Sequence, residues 1–158
     1  MAGTYSATVQ GTVFVCSQAN APAECGSPGS TGVPISILHI GVFTLDAAGN
    51  GCATLTGTYH HSPVDASPTA VNVFHSVSKI TNYNPRTGTG DKSFTDYTGG
   101  QCHGATFDST GATVGDHGTE RIAVSSRGKR IDTVVTSDTD APVNDIGGIS
   151  LSATLLRD

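Results

Sequence analysis

The sequence predicts an all-β chain folded as one antiparallel up-and-down β-barrel of about eight or nine strands, tied by disulfides. Three observations carry that expectation. Apolar and polar residues alternate with period two in segment after segment. The segments are separated by turn-forming residues, within a total of 20 glycines and 7 prolines. Runs of the strong helix formers are scarce, and 36% hydrophobic content is enough for a core in a chain of 158 residues.

Taken in order, Tyr5 to Cys16 opens with Tyr5, Ala7, Val9, Val13 and Val15 opposite Ser6, Thr8, Gln10 and Thr12, a half-buried strand. A Pro/Gly/Ser-rich loop ends near Pro34. The second strand puts Ile35, Ile37, His39, Gly41, Phe43 and Leu45 on one face. Its other face holds Leu38, Ile40 and Val42, so this strand is expected to be covered on both sides. Asp46 to Gly51 is a turn, because Gly and Asn accept positive φ at little cost. Cys52 to His61 follows as a third strand. A fourth begins at Val71 with Val73, His75 and Val77 on its apolar phase and runs toward Tyr83, where Asn84 to Gly88 turns the chain. Gly90 to Tyr97 and Gln101 to Asp108 supply weaker strands. Glu120 to Ser126 and Arg130 to Ser137 form a hairpin about Arg127 to Lys129, and Ile146 to Leu156 closes the chain. Short connections place successive strands side by side, and closure removes the exposed edges. A two-sheet sandwich is the architectural alternative, since the same alternation serves both. The whole of 1–158 is expected to be one domain.

The charge balance, 8 Lys+Arg against 13 Asp+Glu, leaves no broad basic patch, which argues against a nucleic-acid partner. No stretch approaches the roughly 20 apolar residues of a membrane-spanning helix. Cys16, Cys25, Cys52 and Cys102 form an even set without Cys-x-x-Cys or zinc-finger spacing, which points to disulfides and a secreted or periplasmic protein. Three pairings are open. The polar segment Ser17 to Glu24 favours Cys16–Cys25 as a local bridge, leaving Cys52–Cys102 as the long-range one. A secretion signal is then expected to have been removed.

The order of segments, the glycine-bearing turns and the apolar-inside meander resemble the lipocalin and calycin class of small ligand-binding barrels. Where lipocalins carry Gly-x-Trp in the first strand this chain has Gly3-Thr4-Tyr5, and it contains no Trp. The pattern is also similar to the dirigent and allene oxide cyclase type of barrel. That resemblance implies cofactor-free cyclisation or stereocontrol inside the barrel.

Histidines are the most informative polar residues, because His39, His61, His75 and His103 fall on the apolar phase of their strands. Counting from the Asp46 to Gly51 turn sets Gly57 opposite His39 to Gly41, and the next hairpin sets His75 near Gly57. Two imidazoles flanking a residue without a side chain are expected to converge on a ligand, a water or a metal, with Phe43, Tyr59 and His61 beside them. The leading expectation is a secreted barrel binding a small apolar or amphipathic molecule, with no cofactor. The alternatives are an isomerase, cyclase or lyase using His39 and His75 as acid and base, and a metal-binding or structural protein. No short metal motif, serine elbow or calcium loop occurs in the chain. Ligand identity, oligomeric state and the choice between binding and catalysis are left open by the sequence.

Overall fold

The structure, a computed structural model, describes residues 1–15, 33–59, 71–140 and 148–155. Its strands are β1 Gly3–Val15, β2 Val33–Leu45, β3 Asn50–Tyr59, β4 Val71–Asn84, β5 Thr89–Thr98, β6 Gln101–His103, β7 Thr106–Asp108, β8 Thr113–Ser125, β9 Arg130–Asp140 and β10 Gly148–Leu155. Eight of them close into an antiparallel barrel in the order β1-β10-β9-β8-β5-β4-β3-β2, and β6 and β7 form a separate two-stranded hairpin. Closure is made by the first and last strands, with Tyr5 opposite Leu155 and Val9 opposite Leu151. The meander is therefore complete, and the barrel rather than the sandwich is the observed architecture.

Alternation decides which residues face in. Along β1, Tyr5, Ala7 and Val9 are buried while Thr4, Ser6 and Gln10 are exposed, and on β2 Ile37, His39, Phe43 and Leu45 are buried. These residues join Ala53, Leu55, Phe74, Ile80, Ile122 and Ile131 in one core.

The two ends of the barrel differ. At one end the strands are joined by the short turns at 46–49, 85–88 and 126–129. There the Tyr5 hydroxyl donates to the carbonyls of Met1 and, at 3.0 Å, Gly128, which plugs that end with a buried ring and a satisfied polar tip. The connections 16–32, 60–70 and 141–147 leave from the opposite end and lie outside the described residues.

The β6–β7 hairpin is folded against the outer surface of β3 and β4. Cys52 faces outward on β3 and bonds to Cys102 on β6 with Cα atoms 5.8 Å apart. The Phe107 ring lies 4.7 Å from Tyr97 and 5.8 Å from His75, centre to centre. Gly100, at φ +73°, lets that ring approach, since a Cβ there would come within 2.5 Å of it. The Cys52–Cys102 pairing is thus the expected one, whereas Cys16 and Cys25 lie outside the described residues.

Three sequence expectations are corrected. The segment Gln101 to Asp108 is a hairpin outside the barrel, not a wall strand, because Gly104 at φ +62° turns the chain after three residues. The second face of β2 is not covered: Leu38, Ile40 and Val42 are 50%, 59% and 45% exposed. The phase of β4 is inverted. Phe74, Ser78 and Ile80 pair with the inward positions Leu55, Gly51 and Lys92, so Val73, His75 and Val77 face out. The covering hairpin accounts for His75, which Phe107 buries on the outer face, whereas Val73 stays 54% exposed.

Replacing both Cys52 and Cys102 by serine is expected to lower stability by about 2–4 kcal/mol, from the loop-closure entropy of a long-range bridge. The far-UV circular dichroism of the barrel should persist, because the eight wall strands pair without the hairpin. Urea denaturation with parallel circular dichroism checks both.

Candidate functional site in the barrel interior

The histidine arrangement is the first point at which structure and sequence separate. His39 sits on β2 directly opposite Gly57 of β3, in the register expected. A Cβ at Gly57 would lie 1.6 Å from the His39 ring, so the glycine is the space into which the imidazole folds. The ring meets Phe74 edge-on at 4.8 Å. Burial pushes the His39 pKa below its ordinary 6.5, because a charged imidazole would lose its hydration there.

His75 does not join it. Asn72, not His75, is opposite Gly57, and His75 pairs with Thr54 three residues further along. It lies outside the wall, under Phe107, with its Nδ1 3.1 Å from the Thr54 hydroxyl. His103 is exposed on the hairpin. The inward cluster of His39, His75 and His103 is therefore not formed, and the pairing of His39 with His75 as acid and base fails on geometry. Phe43 faces inward as expected. Tyr59 pairs through its backbone with Ile37, and its side chain, like all of His61, lies outside the described residues.

The interior carries a different polar feature. Lys92 on β5 is directly opposite Glu120 on β8, and both side chains are almost fully buried, at 6% and 7% exposure. The ammonium donates to Glu120 Oε2 at 2.6 Å. It also lies 5.8 Å from the centre of the Phe43 ring and 6.0 Å from that of Phe94. Gly51 and Gly118 make room for those two rings, since a Cβ at either would come within 3 Å of its aromatic neighbour.

On either side of the pair stand Ser78 of β4, opposite Phe94, and Thr133 of β9, opposite Ile122. Both are buried, and their hydroxyl oxygens find no hydrogen-bond partner among the described residues. Ser78, Lys92, Glu120 and Thr133 thus form a polar stripe across four neighbouring strands on the inner surface. The facing wall, from β1 to β3, carries Ala7, Val9, Phe43 and Leu55 around the single imidazole of His39 among its described residues.

Such an interior can grip a molecule that is apolar on one side and hydrogen-bonding on the other. The ion pair offers ammonium donors, and the hydroxyls can donate or accept. The described inner surface is thus amphipathic. Sequence reasoning missed all four stripe residues, although Lys92 shares the phase of Phe94, and Glu120 that of Ile122 and Val124. Both charges thus lie on the apolar phase of their strands, as His39 does. Among the described residues no group of three or more His, Cys, Asp or Glu is placed to hold a metal ion.

Two outcomes follow from this geometry. Because the folded His39 pKa is depressed, the unfolded chain takes up the proton first as pH falls below about 6.5. Stability should therefore decline between pH 7.5 and 5, and His39→Gln should flatten that slope in urea midpoints. For the ion pair, Lys92→Met alone or Glu120→Leu alone should cost about 3–5 kcal/mol by stranding a buried charge. The double variant should return close to the parent, as a thermodynamic cycle of denaturation midpoints would read.

No protein-family model, curated protein or solved structure matches this chain.

Proposed function

We propose that the protein is a secreted or periplasmic binding barrel of the calycin-like kind, whose interior takes a small amphipathic molecule. The observation that carries this reading is the buried stripe of Ser78, Lys92, Glu120 and Thr133 facing a mostly apolar wall. A core selected only for stability gains little from a buried ion pair, since well-packed apolar residues of similar volume do as well or better. Two buried hydroxyls without partners among the described residues add to the cost unless something inside the barrel engages them. A bound molecule with a polar end and an apolar body would engage these groups and the apolar residues opposite them.

The Cys52–Cys102 bond supports an oxidising compartment. Among the described residues no helix is long and apolar enough to cross a membrane.

Nile red fluorescence tests the reading. The wild-type protein should bind the dye one to one, and decanol should displace it at least tenfold better than decane of the same apolar length. In Lys92→Met/Glu120→Leu that preference of alcohol over alkane should vanish. Equal competition by the two compounds in the wild type would remove the polar stripe from the binding site.

A further inference from the structure

We infer that Lys92 is a carbonyl-trapping amine, so that an aldehyde-bearing amphipathic ligand is held in the barrel as an imine with Glu120 as its counter-ion. The inference deepens the binding reading above and rests on it. Lys92 is one of three lysines in the chain. Lys79 is exposed, with its ammonium on Ala48 O and Asn50 Oδ1, and Lys129 belongs to the turn at the plugged end. Lys92 alone combines burial, aromatic faces and a carboxylate within hydrogen-bond distance.

The geometry supplies each requirement of the reaction. An ammonium is not a nucleophile, but Glu120 Oε2 at 2.6 Å can take one proton from it without changing the net charge of the site. The neutral amine then attacks the aldehyde carbon, forming the C–N bond as the carbonyl π electrons move to oxygen. A proton passes from nitrogen to that oxygen and gives the carbinolamine. Glu120, now the acid, returns its proton to the hydroxyl, and the C–O bond breaks with loss of one water. The product is an iminium cation on Lys92 facing the restored Glu120 carboxylate. Nothing is oxidised or reduced. The iminium keeps the cation that Glu120, Phe43 and Phe94 already surround, so the product fits the lining that holds the ammonium. The Ser78 and Thr133 hydroxyls lie on the flanking strands, where they can engage the carbonyl oxygen before the water leaves.

The test is reductive trapping. Intact protein is incubated at neutral pH with decanal and cyanoborohydride, with and without excess decanol, and the adduct is read by intact mass and peptide mapping. One decyl adduct per chain on Lys92, formed at least tenfold faster than on Lys79 or Lys129 and suppressed by decanol, is the expected result. Lys92→Arg, which keeps the cation beside Glu120, should abolish the fast adduct. Adducts confined to Lys79, Lys129 and the terminal amine, while decanol still displaces Nile red, would overturn the imine and leave the binding reading standing. Failure of both trapping and displacement would overturn both. Mapping of the wild-type chain with decanol protection decides the matter even if the arginine variant does not fold.

Discussion

Closure of the sheet by β1 against β10 is the constraint on which the rest depends. An open meander with the same alternation would leave two unpaired edges and a face that other chains could cover. Once the ends pair, every second residue of eight strands is committed to one enclosed volume. Lys92 and Glu120 are then almost fully buried and, among the described residues, balance each other's charge. Gly51, Gly57 and Gly118 acquire their meaning from the same enclosure, because each gives up side-chain volume to an aromatic or imidazole ring on the inner surface. The polar stripe, the aromatic faces and the folded-back His39 ring are consequences of fitting these side chains inside a shared boundary.

The wall also has an outside, and here the chain uses it. The β6–β7 hairpin, bonded through Cys52–Cys102 and packed by Phe107 on His75 and Tyr97, gives β3 and β4 a second buried surface. Burial on both faces is the reason one histidine serves the interior and the other the exterior. Leu38, Ile40 and Val42, on the uncovered part of the wall, stay exposed although their sequence pattern matches that of a doubly covered strand. Their neighbours across the outer face, Thr8, Thr54 and Thr56, are short and uncharged.

How much was legible in the sequence varies with the range of the interaction. Strands with a single turn between them were readable in both place and register: His39 opposite Gly57 follows from the Asp46 to Gly51 turn, whose Gly49 takes φ +85°. The phase of β4 was not. It is set across the connection 60–70, where no short turn ties the register, and its outward Val73, His75 and Val77 look like a core face. The front half of β8, from Thr113, was also missed, since Gly115, Asp116 and Gly118 interrupt its alternation. The site was legible only in part. A charge on the apolar phase of one strand says nothing of a partner 28 residues later, and Lys92 meets Glu120 because β5 pairs with β8 after the hairpin has been set aside.

On the binding reading proposed above, the electroneutral lining would act as a charge filter. A neutral guest finds a donor and an acceptor side by side and brings no net charge into the enclosure. A free carboxylate or ammonium of the same shape must shed its hydration at a cost of several kcal/mol, and the cation or anion it would need is already taken by its neighbour. On that reading selection by net charge precedes selection by shape, and uncharged alcohols and carbonyl compounds would partition into the barrel while the corresponding acids and amines would stay in water.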